Sequence, residues 1–311
     1  MTDLLKVALI GANGDLIEAS ATTRPFRLST GQALFGPPPV DAPTVEAVGL
    51  LAGSLDGIAR HQGRALRLRL FLDADSPQTL LEAIQRLSQA VSPVLPGSTR
   101  GRNCTLIITR PGGEQRAITA RYTGGLDGLA IATGQDDHLE IDLIFRASDP
   151  HWWSLALSGA QVSFPVTGTG VTATLFSDTI GFNQTGQPFD GFQSTATQGT
   201  TLVVLDNLGD AEAWPTFELT GAAASVEVMS RTTGYSWRWG GTLASGAVLT
   251  VVTDDRAPSV RIGAANAYGG ITAGSRLFPL VGGPNEVAVS VGGANTSTRL
   301  TITWQPRQLT A

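Results

Sequence analysis

One cysteine, one lysine and two methionines stand in a chain of 311 residues. Cys104 alone cannot close an intramolecular disulfide, so a disulfide-stapled scaffold is excluded. Stability then has to come from packing or from assembly into an oligomer. Charge is also scarce: Asp, Glu, Lys and Arg make up 15% of the residues, against roughly 25% in ordinary globular proteins. Lys6 is the one lysine and every other basic residue is arginine, a skew that fits a GC-rich genome. With 21 basic and 26 acidic residues, a net charge of −5 and no basic tract, the electrostatic footprint of a nucleic-acid binder is missing. No apolar segment approaches the ~20 residues of a spanning helix. The opening Met-Thr-Asp-Leu-Leu-Lys lacks the basic and long apolar regions of a secretory signal. The expectation is a soluble protein made in the cytoplasm.

What is present is turn-rich and β-prone: 37 glycines among many Val, Thr and Ser residues. Val7–Ile10, followed by Asn13-Gly14, reads as the first arm of a hairpin. Gly36-Pro37-Pro38-Pro39 imposes extended backbone, and a Pro-, Gly- and Ala-rich loop is expected to about Gly63. From Arg64 to Leu72, Leu66, Leu68, Leu70 and Leu72 alternate with Arg67, Arg69 and Phe71, the period of a strand with one buried face. One helix is expected over about 76–92. Asp75 or Ser76 is placed to cap it, Pro77 suits its first turn and Ser92-Pro93 ends it. Leu80, Ile84, Leu87 and Val91 form one stripe, which should be buried against a sheet. Thr105–Thr109 is expected to pair with Gln115–Tyr122 across Pro111-Gly112-Gly113, and Leu139, Ile141, Leu143 and Phe145 mark another strand. Composition shifts after Asp149-Pro150, which places a domain boundary near 150 and gives domains 1–150 and 151–311.

The second half shows no helical pattern. Short strands recur near 202–205, 216–219, 225–229, 236–239, 248–253 and 260–262, with closing strands at Val287–Val291 and Leu300–Trp304. That spacing, broken by glycine turns, is the pattern of an antiparallel β-sandwich.

No motif carries chemistry. Gly11-Ala12-Asn13-Gly14 lacks the second and third glycines and the helix of a dinucleotide fingerprint. His61, His138 and His151 are scattered, with no metal-ligand spacing. Asp73/Asp75, Asp136/Asp137 and Asp254/Asp255 sit at the ends of expected elements, where aspartate forms turns and caps. No catalytic, cofactor or metal residue is therefore assigned. Tyr235, Trp237 and Trp239 share one strand face. Exposed, that row could stack on sugar rings; buried, it fills the sandwich core. The adjacent Trp152 and Trp153 cannot share a face, so one is expected at a domain junction or against a neighbouring subunit.

The order of these features resembles the siphophage distal tail protein family, often called Dit. The strand-helix unit from Arg64 to Val91 and the stretch Phe145-Arg146-Ala147-Ser148-Asp149-Pro150 resemble its N-terminal domain. Asn207-Leu208-Gly209-Asp210, Trp214-Pro215 and Gly221 resemble its second half. So do Phe278-Pro279-Leu280, Gly283-Pro284-Asn285-Glu286-Val287 and Trp304-Gln305-Pro306-Arg307. The resemblance implies a mainly β protein: an N-terminal β-sandwich or split-barrel-like domain with one helix, then a C-terminal galectin-like antiparallel β-sandwich. It implies a virion structural protein, not an enzyme, whose hexameric ring joins the tail tube to the tail-tip hub and carries host-recognition parts. The region 11–63 would hold the arm or belt that links neighbouring subunits. The alternatives are a carbohydrate- or receptor-binding module of the tail tip, or another minor tail protein.

Overall fold

The computed structural model describes residues 5–30, 34–41, 44–46, 54–56, 60–92, 103–127, 137–164 and 198–311. Pro93 and Asp136 lie outside them. The chain forms two compact units, Met1–Ala156 with Arg307–Ala311, and Leu157–Pro306. The second unit is thus inserted in sequence between two segments of the first.

Unit 1 starts with β1 (Lys6–Ile10), β2 (Leu16–Ser20) and β3 (Phe26–Leu28). Two short antiparallel ladders follow: β4 (Val40–Asp41) with β7 (Arg60–His61), and between them β5 (Thr44–Glu46) with β6 (Ser54–Asp56). The expected loop to Gly63 is therefore corrected to nested strand pairs. Strands of two or three residues are too short to leave a readable alternation. Next come β8 (Arg64–Asp73), α1 (Pro77–Val91), β9 (Cys104–Thr109), β10 (Gln115–Gly124), β11 (His138–Ala147) and β12 (Trp152–Ser154).

Strand order β11-β8-β3-β2-β1-β9-β10, with β10 pairing back to β11, closes a seven-stranded barrel. Its longest ladder runs from Arg64↔Ala147 to Asp73↔His138. The seam carries a bulge at Tyr122/Gly124. Just beyond it, Gly125 has φ 115°, and a Cβ there would lie 1.7 Å from the Asp142 carbonyl oxygen, so only glycine fits. The alternating leucines Leu66, Leu68, Leu70 and Leu72 point inward beside Leu106, Ile118, Ile141, Leu143 and Phe145.

The helix begins where expected. The Ser76 hydroxyl accepts from the Thr79 N–H, the Thr79 hydroxyl accepts from the Ser76 N–H, and Pro77 opens the first turn. Leu80, Leu87 and Val91 are buried and Ile84 partly buried, in the same cluster as the barrel side chains. Each fully buried leucine stabilises the unit by roughly 1.5–3 kcal/mol.

Unit 2 comprises β13 (Ser158–Ser163), β14 (Gln198–Asn207), β15 (Thr216–Thr220), β16 (Ala223–Ser230), β17 (Ser236–Leu243) and β18 (Val248–Val252). β19 (Ser259–Ile262), β20 (Ala265–Asn266), β21 (Gly283–Gly292) and β22 (Arg299–Trp304) complete it. They form a six-stranded sheet, β13-β22-β15-β18-β19-β20, and a four-stranded sheet, β14-β21-β16-β17. Phe217, Val251 and Ile302 from one sheet and Val228, Trp237 and Val289 from the other share a single core, so the unit is an antiparallel sandwich.

The last strand, β23 (Arg307–Gln308), returns to unit 1 and pairs with β12. Trp152 is fully buried in the unit 1 core, and Trp153 packs partly buried against it. The tryptophan pair thus belongs to unit 1 itself.

Candidate functional site

A sugar-binding surface would need its aromatic row exposed to solvent. Alternation along β17 sends Trp237 and Trp239 into the sandwich, where they are 1% and 3% exposed. Trp237 meets Phe217 edge-on at 5.3 Å between ring centroids. The Trp239 Nε1–H donates to the Ala267 carbonyl at 3.3 Å. A Cβ on Gly270 would lie 2.3 Å from that nitrogen, so the site is shaped to enclose the indole. Tyr235 is half-buried and has the Arg276 guanidinium 3.8 Å from its ring centre. The row proposed as a carbohydrate-contact face, Tyr235, Trp237 and Trp239, therefore turns inward. Packing claims both indoles, and a cation stacks on the tyrosine.

The carboxylate pairs are also committed. Asp73 binds Arg24 and Arg27, Asp75 binds Arg24, Asp137 meets His138, and Asp254 accepts from the Arg256 N–H. A cavity of about 350 Å³ lined by Arg24, Phe26, Asp73, Asp75, Thr79 and Glu82 has its aspartates in these ion pairs. The hydrogen bond from Arg24 holds the Asp73 carboxyl below the usual carboxylate range, and Arg69 does the same for Asp142. A general acid needs the opposite shift.

Both groups are depressed in the folded state. Their contribution is thus present above the ordinary aspartate value of about 4 and is lost as pH falls through the lower folded value. The melting temperature of the chain should drop as pH falls from 4 toward 2. The drop should be smaller for Asp142→Asn, and an equal slope in wild type and variant would exclude the Arg69–Asp142 pair as its source.

The histidines are less scattered in space than in sequence. His61 Nδ1 lies 3.1 Å from His151 Nε2, while His151 Nδ1 lies 3.1 Å from Asp149 Oδ1. Arg307 also binds Asp149. Among the described residues no group of three potential metal ligands converges.

Residues 307–311 are stitched into unit 1 by more than this pair. The buried Arg64 guanidinium donates to the carbonyls of Leu309, Pro150 and Leu34. Burial lowers its pKa. Arg116 donates to the Thr310 carbonyl at 2.8 Å and to Glu114. Nothing in the local sequence around Arg64 or Arg116 signals partners so far along the chain.

Unit 2 has its own polar core. Asn285 is fully buried: its Oδ1 accepts from the Val281 N–H at 2.9 Å, and its Nδ2 donates to the carbonyls of Val281 and Gly283, each at 2.8 Å. Asn207, 1% exposed, donates to Ala211 and Leu280 and accepts from the Gly209 N–H. These two asparagines fix the 207–211 and 280–285 loops, the stretches whose sequence carries the family resemblance.

Residues 208–307 match the family model of the siphovirus-type tail component, C-terminal domain, of the SPP1 Dit family. That stretch of the chain is similar to the C-terminal domain of Dit-type phage tail components. A likeness in fold extends beyond that stretch. The crystal structure of the Dit protein of phage SPP1, described as a paradigm of the hub adsorption apparatus in phages infecting Gram-positive bacteria, superposes with a TM-score of 0.61. That match covers 97% of this chain and 98% of the other, at 12% identity. A chain of the phage P2 baseplate in its activated conformation with Ca aligns over 98% of both chains at 9% identity, with a TM-score of 0.49. No curated protein matches the chain. The likeness to the SPP1 protein shows a shared fold, and the family model places the Dit-type signature in residues 208–307.

Proposed function

We propose that this Dit-type protein is a distal tail adaptor, made in the host bacterial cytoplasm. In this reading unit 1 assembles as a hexameric ring between the tail tube and the tail-tip hub, and unit 2 serves host-recognition parts. The observation that carries the reading is the excursion between β3 and β8. β4 pairs with β7 and β5 with β6, as two separate two-stranded ladders, and neither pairs with a barrel strand among the described residues. A two-stranded ribbon is marginal by itself in water, so this one fits an arm stabilised by a neighbouring subunit. The barrel also presents Ile10 and Leu16, cross-strand partners that are 36% and 48% exposed, as apolar contact surface. Interfaces of this kind are depleted in charge, in keeping with the low charge of the sequence. The work is geometric and uses no cofactor. The carbohydrate-binding alternative has no aromatic row to act through, because both indoles of that row are enclosed. No helix among the described residues is long and apolar enough to cross a membrane.

Replacing residues 41–60 by a short Gly-Ser turn tests the arm, because Val40 and His61 are cross-strand partners and can be joined without strain. Native mass spectrometry and negative-stain imaging should show six-fold rings for the intact chain and monomers for the deletion, with the barrel still folded. Rings that persist without the arm, or an intact chain that stays monomeric at high concentration, would count against the reading.

A further inference from the structure

We propose that the outer face and unpaired edge of β14 form a docking surface for a strand-forming segment of another virion protein, apolar at alternate residues and flanked by arginine or lysine. The virion origin of the partner rests on the tail-component reading; the surface itself does not.

The strand runs ten residues and pairs, among the described residues, with β21 alone. Its stretch Thr201-Leu202-Val203-Val204-Leu205 has high β-propensity and contains no proline or lysine, the residues that usually guard an exposed edge. Val203 and Leu205 point toward the core, while Leu202 and Val204 point outward at 41% and 58% exposure. Register extends the apolar surface across three strands: Leu202 faces Ala288, and Ala288 faces Met229, itself 42% exposed. An edge, an apolar row and a backbone ladder together are what β-augmentation uses, with the ladder giving affinity and the alternate side chains giving specificity.

The far end of the strand is preorganised. Asn207, held by its buried bonds, ends β14 and fixes the turn that presents Leu208 at 72% exposure. A rigid apolar projection loses little entropy when it is covered.

Charge decides the occupant. Asp206 and Glu286 flank Val204, Glu286 as its cross-strand partner, and neither forms an ion pair among the described residues. Arg231, on the far side of Glu286, donates its backbone N–H to the Glu286 carbonyl, and two rows along Glu227 faces Arg238, where the charges cancel. A second copy would bring Asp206 and Glu286 against their own kind, which like-charge contact disfavours. A basic-flanked strand from a different protein meets both the row and its rim.

The test uses the full chain and two short synthetic peptides of alternating Val and Thr, one flanked by Arg and the other by Glu, followed by fluorescence anisotropy. The Arg-flanked peptide should bind about tenfold tighter, the effect of two rim charge pairs. Val204→Glu should abolish binding. Asp206→Arg combined with Glu286→Arg should invert the preference, a readout that survives should Val204→Glu fold poorly. Equal binding of both peptides, or a preference unchanged by the double reversal, overturns the proposal. So does a fall in native mass of Val204→Glu without peptide, which would assign the surface to a second copy. Failure here leaves the native mass of the unmodified chain untouched, so the ring reading stands or falls separately.

Discussion

Deleting residues 307–311 should destabilise unit 1 by about 4 kcal/mol or more, while unit 2 keeps its own transition. The figure follows from what those residues hold. Leu309 supplies one of three carbonyls on the Arg64 guanidinium, a buried cation with 4% exposure and no carboxylate among the acceptors above. Thr310 supplies a carbonyl to Arg116, 7% exposed. Removing an acceptor from a buried donor costs about 1–3 kcal/mol, and more when the donor is charged. Asp149 loses Arg307 as well, and the β12–β23 ladder disappears. Calorimetry of the deletion should show the unit 1 transition shifted down or lost, and the unit 2 transition in place. The converse variant isolates the cause. Trp153 and Arg307 are cross-strand partners, so replacing residues 157–306 with a short Gly-Ser linker turns β12 and β23 into a hairpin. That protein should fold as unit 1 alone. If the deletion melts like the wild type, residues 307–311 are ornamental and the two-segment description of unit 1 is wrong.

Those contacts also show where reading the sequence ends. Elements with a periodic face were legible: Leu66 to Leu72 gave β8, and Leu80, Leu87 and Val91 gave the buried side of α1. Alternation in the second half located the main sandwich strands, since each buries every other residue. Barrel closure was not legible, because it depends on β10 pairing with β11 across a bulge and on Gly125 passing the Asp142 carbonyl. The strand pairs at 40–61 were missed because two or three residues carry no period. The meeting of His61 with His151, ninety positions away, was equally invisible. For the row at Tyr235, Trp237 and Trp239, periodicity could establish that the residues share a face. Whether that face turns inward depends on the opposite sheet, where Phe217 waits. The asparagines are the reverse case. Asn207 and Asn285 stood out as parts of family-like stretches, yet sequence gave them no task. The structure gives them one: they satisfy the backbone of the turns where β14 ends and β21 begins.

Asn285→Ala should therefore be among the most damaging single substitutions in unit 2. It leaves the part-buried Val281 N–H and Gly283 carbonyl without their partner, and the Val281 carbonyl with the longer 3.3 Å bond from Asn207 alone. The Leu205 carbonyl, at 3.4 Å, loses a weaker contact. At about 1–3 kcal/mol for each unsatisfied buried group, reduced because these groups are part-buried and water can enter the space, a loss of about 3 kcal/mol is expected. Asn285→Asp sharpens the point because it keeps the shape. One carboxylate oxygen can still accept from Val281, but the other would face carbonyl oxygens where the amide donated. The aspartate variant should be at least as unstable as the alanine variant at neutral pH, and should recover stability as acid protonates the carboxyl and restores a donor. Urea denaturation at pH 7 and near pH 4 measures both effects, and an aspartate variant as stable as wild type at pH 7 would refute the donor role. The same loops set the Leu208 turn, so Asn207→Asp should disorder the projection first. Peptide binding at β14 should then weaken before global stability falls, because local opening costs less than unfolding the sandwich.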